Sequence, residues 1–593
     1  AGAVAGAGTS VGASACAGVG AGPGASSPGG ASAFADAGAD PDAPADPGAG
    51  AGSCAGGGAA GGGVPAPSLA TLFPDVRIVP SARLLGAVVG DLQDPAFALP
   101  FVRQRTAAAL SCLPALEFMC DRDGAPDWFA QWHVLRACSA ARAGWLPRVM
   151  PCSSLGSYAA DVDSLHRRHA ARIILGSPDR AFSAEADWQL HLPTAQGGFG
   201  LPSVSRSLPA AALASWSVTF SMLRPHLSTS PLLGATLATP AAIRAALPRA
   251  GRSLGLVRAY DRARADFDSH RLTGRRAPFA LPTSLPLVVA AAKTVASRDI
   301  MANSHSRALW ALRASPALLV ADHDRLDSAS ATTALGHQFL HLPPRAVDVG
   351  APPLHFPSPL FRTSLQLRLG TPLSPLSGAT FCRCGGRLDV HGHHSLSCVT
   401  GGATFRRHEA LVHGLTSLAS AAGFSATTTG LQHFYPSRPP APAAPAHYRP
   451  DLRISDFPDA GSTTVVDVTV VHPTPPARAL NPAAARQPPL RAALVASQRK
   501  ELRVVRHLRA TLAAHGAGAP PGSRFVPAAW ETYGAASPAA ATLVADLLRA
   551  ACDRLGTDGS AAATLKRSWR HYLSSVVAIA VAGQIHASVP PVH

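Results

Sequence analysis

Lysine is the scarcest charge in this chain. Only Lys293, Lys500 and Lys566 stand among its 52 basic residues, so arginine carries nearly all the positive charge. Aromatics make up 6% and charged residues 15% of the 593 positions, and alanine inflates the 47% hydrophobic fraction beyond what a packed core would need. No apolar run reaches the roughly 20 residues of a membrane span. VVAIAVAG (576–583) is too short and LVVAAAKTVA (287–296) carries Lys293, so no membrane insertion is expected. Ten cysteines show no regular disulfide spacing, which favours a reducing, intracellular setting over secretion. The opening AGAVAGAGTSVGAS has no initiating Met, which points to a fragment or a shifted start, and no basic stretch typical of a signal peptide.

What the chain has in excess is positive charge, +17 overall. Residues 1–66 contain Asp36, Asp40, Asp42 and Asp46 and no basic residue, so the remainder is more basic still. An arginine-rich body suits a polyanion, most simply nucleic acid. The Gly/Ala-rich tail cannot bury enough apolar surface to order itself and is expected to be disordered. From about 95 to 330, apolar residues recur at three- and four-residue spacing, as in YAADVDSLHRRHAARIIL, and predict helices. HLPPRAVDVGAPPLHFPSPL (341–360) reads as a Pro-rich linker. Beyond it the pattern turns α/β: a helix RRHEALVHGLTSLASAAG ending at Gly423, strands YRPDLRISDF and STTVVDVTVVHP around FPDAGS, a long helix containing Lys500, and a strand FVPAAW.

Two constellations carry chemistry. CRCGGRLDVHGHHSLSC places Cys382, Cys384 and Cys398 beside His394, with His393 as the alternative ligand. Three thiolates and one imidazole suit tetrahedral zinc, and Gly385 and Gly386 let the backbone fold sharply behind the tight C-x-C pair. Such a site is closed and therefore structural.

The second is an acidic hairpin. Pro450-Asp451 is one of six Pro-Asp pairs, so the pair alone means little. Alternation, however, puts Asp451, Arg453 and Ser455 on one face of their strand, and Asp467 and Thr469 on one face of the next. An antiparallel pair would bring the two carboxylates together, an arrangement that a bridging Mg²⁺ relieves. Such an ion could activate water for attack on a phosphodiester, with Lys500 as a compact compensating cation. The same residues also read as a solvated hairpin with a surface lysine.

The ordered string CRCGGRLDVHGHHSLSC, RRHEALV, RPDLRI, VVDVTV, the Lys500 helix and FVPAAWETYG resembles the carboxy-terminal module of site-specific non-LTR retrotransposon proteins and of reverse-transcriptase-like proteins of plants and algae. The likeness covers roughly 362–555, and QLHLPTAQGGFGLPSVSRSLPAAALASW (189–216) is similar to the segment that follows the polymerase palm in those proteins. It implies a CCHC zinc knuckle (Cys382, Cys384, His394, Cys398) and a restriction-like PD-(D/E)xK endonuclease with Asp451 and Asp467 as metal-binding acids. Lys500 would be the motif lysine moved onto the following helix, since Thr469 occupies its usual place. Glu409 or Gln432 would complete the metal site, and Arg406 and Arg407 would contact phosphate or simply begin a basic helix.

The implied fold class is an α/β restriction-endonuclease-like domain preceded by a mainly helical region and a disordered tail. Its divisions are 1–66 tail, 72–340 helical thumb-like region, 341–360 linker, 361–400 knuckle, 401–556 nuclease and 557–593 helical end. The implied cofactors are structural Zn²⁺ and catalytic Mg²⁺, the partners DNA and RNA, and the location the nucleus. No Tyr/Phe-x-Asp-Asp strand occurs, FADA (34–37) being the nearest string, so no reverse transcription is expected. Two readings stand: an endonuclease that nicks target DNA, or a decayed remnant or adopted nucleic-acid-binding protein without catalysis.

Overall fold

A computed structural model describes, with short interruptions, residues 81–211, 305–341, 351–429, 450–515 and 522–590. The expected tail, the 342–350 part of the expected linker, and Gln432 lie outside the described residues. Residues Ile78–His593 form one compact unit in which helices and a small four-stranded sheet are combined. Among the described residues, no helix is long and apolar enough to cross a membrane.

The amino-terminal part opens with a short hairpin, β1 (Ser81–Leu84) and β2 (Ala87–Gly90), followed by helices, as the three- and four-residue spacing predicts. These are α1 (Pro95–Leu110), α2 (Trp128–Val134), α3 (Gly156–Leu175), α4 (Ala184–His191) and α5 (Val320–Ala329). Trp132, Ile173, Ile174, Leu190 and Phe199 bury one apolar cluster between them. The loop GGFGLPSVS is fixed by polar contacts: Asp163 of α3 accepts from the Ser203 hydroxyl at 2.7 Å and from the amides of Val204 and Ser205 at 2.7 and 3.0 Å.

The division at residue 360 falls inside a helix, α6 (Ser358–Leu369). Phe361, Leu365 and Leu369 enter the same cluster as Trp132, and Ala578 and Ile579 pack against it. The helical region and the carboxy-terminal region therefore share a core instead of being strung on a linker. Arg368 locks the seam from a 4% exposed position, donating to the carbonyls of Gly198 at 3.1 Å and Thr194 at 2.7 Å.

The carboxy-terminal region runs α7 (His393–Ser397), α8 (Ala403–Ala421), β3 (Ser425–Thr427), β4 (Leu452–Ser455), β5 (Thr463–Val471), α9 (Arg491–His515), β6 (Ser523–Glu531), α10 (Pro538–Arg554) and α11 (Gly559–Ser588). The sheet order is β3-β4-β5-β6. The first three strands form an antiparallel meander, with Leu452 opposite Val466, whereas β6 lies parallel to β5. A parallel neighbour needs a crossover, which α9 supplies. Pro527 is tolerated because β6 is an edge strand.

One face of this sheet, including Leu452, Ile454, Val466, Val468 and Trp530, buries against Leu411 and Leu415 of α8, Leu547 of α10 and Trp569 and Leu573 of α11. The last segment, 557–593, is thus mostly a core helix and not an appendage. The other face is covered by α9, whose buried Ala493, Ser497 and Val504 recur at helical spacing with Lys500. Ser497 Oγ donates to the carbonyl of Pro527 at 2.9 Å. As the central strand, β5 is buried on both faces from Thr464 to Val468, and Asp467 lies within that stretch.

Candidate metal centre and acidic site

The thiol cluster begins as a tight hairpin. Leu388 donates its amide to Thr380 O at 2.9 Å, Cys382 to Gly386 O at 2.8 Å, and Gly385 to Cys382 O at 2.8 Å. Gly385 takes φ +80, which favours glycine. At Gly386 a Cβ would lie 2.5 Å from His394 Cε1 and 3.2 Å from Cys384 Sγ, so only a hydrogen fits between the ligands. Asp389 then organises the short helix α7. Its carboxylate accepts from the amides of His391, His393 and His394 at 3.1, 3.0 and 2.7 Å, satisfying donors that a helix start leaves open.

This scaffold gathers Cys382, Cys384, His394 and Cys398 so that their ligand atoms all lie within 4.8 Å of one another. Cys382 Sγ is 3.9 Å from Cys398 Sγ, and Cys384 Sγ is 3.2 Å from His394 Nε2. Two thiolates on a tetrahedral zinc stand about 3.8 Å apart, given Zn–S bonds of about 2.3 Å. The quartet could therefore hold a metal such as zinc. The alternative ligand His393 is turned away: its Nδ1 meets His472 Nε2 at 3.0 Å, and His472 Nδ1 meets Thr532 Oγ1 at 2.8 Å.

The second constellation also comes together. Asp451 immediately precedes β4, donates its amide to Val466 O at 3.0 Å, and accepts from the Val468 amide through Oδ2 at 2.7 Å. Its carboxylate is thus pinned to the residue that follows Asp467. Lys500 reaches from α9 to form a direct ion pair with Asp467 Oδ1. Burial pushes the Lys500 ammonium down to about 8, with Arg503 adding to the depression and the Asp451 carboxylate opposing it. Both acids therefore act on the one lysine. Asp467 is 7% exposed along its side chain, Asp451 20% and Lys500 23%, so the group opens to solvent at Asp451 and Lys500 and closes at Asp467.

Helix α8 supplies the near wall. His408 Nε2 lies 3.1 Å from Asp451 Oδ1 and 3.8 Å from Glu409 Oε1, which places Glu409 beside the acids. His408 itself sits in the RRHE motif, but its sequence neighbourhood gives no hint that it faces Asp451; only the packing of α8 on β4 shows this. Thr469 stands on half-buried β5 opposite Ala529.

The two arginines separate. Arg406 is exposed, donating only to Gly401 O at 3.1 Å among its recorded bonds. Arg407 is corrected as a phosphate contact: it is 4% exposed and donates to Leu396 O at 3.3 Å and Val470 O at 2.8 Å, so its guanidinium is out of reach of a ligand.

No protein-family model matches the chain, and no curated protein matches it.

Proposed function

We propose that the carboxy-terminal region is a restriction-like, divalent-cation-dependent DNA endonuclease, fronted by a structural zinc knuckle. The observation that carries this reading is that Lys500 pairs directly with Asp467 while also feeling the charge of Asp451, whose carboxylate is bonded to the amide next to Asp467. A buried acid beside a second acid and a lysine of depressed pKa is the arrangement expected where charge develops during a reaction.

The residues fit a hard cation, because Asp451 keeps its carboxylate partly exposed while Asp467 supplies a second oxygen donor. Such an ion supplies Lewis acidity, lowering the pKa of water and offsetting phosphodiester charge; Mg²⁺ is the proposed ion. Asp451 is held at a fixed angle by the Val468 amide, which limits the reorganisation needed on binding. Lys500 keeps a positive charge against Asp467 and can turn it toward an incoming phosphate. Exposed Arg406 offers a phosphate contact on the same helix as His408. The partner is DNA, with RNA accommodated by the same basic surface, and the setting is the nucleus.

The test is nicking of supercoiled plasmid with Mg²⁺, comparing wild type with Asp467→Ala and Asp451→Ala. Loss in both variants, with folding retained, supports the assignment; equal activity in wild type and variants sinks it.

A second reading is nucleic-acid binding without hydrolysis. It is favoured by the saturation of the acids within the protein itself: both Asp451 oxygens have partners, and Asp467 is paired with Lys500. Wild type that binds plasmid but never nicks it, with any divalent ion, would establish that reading.

A further inference from the structure

His408 lies outside the residues that the nuclease reading uses, yet it meets one of them, Asp451. Nε2 stands 3.1 Å from Oδ1, on the side of the carboxylate that the Val468 amide leaves free. Two ligands at bonds of about 2.1 Å from one ion, set at right angles, stand about 3.0 Å apart. The 3.1 Å contact is that of a hydrogen-bonded ion pair, and the same spacing suits neighbouring ligands on a single small cation, so an ion could replace the shared proton without moving either side chain.

The surroundings favour this use. The His408 side chain is 22% exposed and that of Asp451 20%, so solvent, and with it an ion, can reach the gap. The exposed Phe405 ring stands beside the imidazole, with centroids 6.3 Å apart and planes at 27°. Glu409 Oε1, 3.8 Å from the same nitrogen, adds negative charge beside it.

We propose that His408 supplies a nitrogen ligand beside Asp451, making the divalent site selective for a first-row transition ion such as Mn²⁺ over Mg²⁺. Imidazole is a borderline donor that transition ions accept readily, whereas Mg²⁺ prefers oxygen and keeps its waters. The remaining positions fall to water or a phosphate oxygen. This inference rests on the divalent site proposed above, but not on hydrolysis at that site.

The test uses the full chain with the knuckle first filled with one equivalent of Zn²⁺. Mn²⁺ is then titrated and followed by electron paramagnetic resonance, with pulsed detection of directly bound ¹⁴N. Wild type is expected to bind one Mn²⁺ with imidazole-nitrogen modulation, and Mg²⁺ to displace it only in about tenfold or greater excess. His408→Gln should lose the modulation and weaken Mn²⁺ binding by about tenfold or more. His413→Gln, whose side chain is 74% exposed, should change neither.

Bound Mn²⁺ without nitrogen modulation overturns the proposal, as does modulation that survives in His408→Gln, or no Mn²⁺ binding at all. Should His408→Gln fail to fold, the wild-type nitrogen signal and its ease of displacement by Mg²⁺ still decide. A chain that shows the nitrogen signal yet never nicks DNA would refute the endonuclease reading and leave this one standing.

Discussion

Arg407 joins the thiol hairpin to the strand that bears Asp467. Its guanidinium donates to Leu396 O in α7 at 3.3 Å and to Val470 O in β5 at 2.8 Å, and no carboxylate is among its recorded partners. Burial without a counter-ion pushes it down to about 10, so the charge is held at a cost that the two carbonyls offset. Replacing it with Met keeps the apolar stem and strands both carbonyls. At about 1–3 kcal/mol for each unpaired buried group, Arg407→Met should lower the urea midpoint of the carboxy-terminal core by the equivalent of roughly 2 kcal/mol or more. A midpoint within experimental error of wild type would mean that the two regions are not tied through this side chain.

Gly386 gives a sharper test of the knuckle. An added methyl at this position would overlap His394 Cε1, a ligand ring, and press on Cys384 Sγ. Gly386→Ala should therefore reduce bound zinc well below one equivalent, measured by metal analysis after dialysis. By contrast, Gly378→Ala has no neighbour for the new carbon and should retain zinc, with only its positive φ to pay in stability. Equal zinc content in the two variants would mean that the quartet closes differently.

The knuckle was legible in the sequence because all four ligands fall within a short, local motif whose turn is made by its own glycines. The strands of the acidic hairpin were legible for a similar reason: period-two alternation fixes which residues share a face, and Asp451 and Asp467 were placed by it. What alternation cannot show is that β5 is central and covered on both sides, since a buried Asp467 looks like a polar-face residue until α9 is laid over it. His408 and the turned-away His393 were hidden for another reason. Which way each imidazole points depends on contacts with residues more than forty positions distant. Among the described residues of the expected linker, only the end, 358–360, is helical, because proline also suits the first turn of a helix, with Pro359 at the start of α6.

Acid should destabilise the fold through its buried histidines. Burial pushes His133, His166, His337, His341 and His571 down to about 3, 4, 3, 4 and 4. They stay neutral in the fold while the unfolded chain takes up protons below its ordinary histidine pKa near 6.5. The stability they allow is complete above that value and is lost as pH falls through the window toward 4. Each such group can cost about 1.4 kcal/mol per pH unit at the steepest point. The melting temperature should therefore drop steeply between pH 6.5 and 5. His166→Asn, which removes one titrating ring while leaving a donor toward Ser139, should flatten that slope by about 1.4 kcal/mol per pH unit. An unchanged slope would place the acid sensitivity elsewhere.

Lys500 works in the opposite range. Its ammonium is pushed down to about 8 from an ordinary value of 10.5. Between those pH values the unfolded chain holds the proton and the folded chain has released it, so stability rises with pH across the window. Lys500→Met has no proton to release. The stability of wild type relative to this variant should therefore increase from pH 8 to 10, by no more than about 2 kcal/mol once the lysine's partial exposure is discounted. The same titration removes the charge that pairs with Asp467. If the ammonium assists nicking, the wild-type rate should fall above about pH 8, while Lys500→Arg, whose guanidinium stays charged, should lack that alkaline limb even if its rate is lower throughout. A variant with the same alkaline limb as wild type would assign the loss to another group. A flat stability difference between wild type and Lys500→Met would show that Lys500 keeps an ordinary pKa, its ion pair with Asp467 then offsetting the burial.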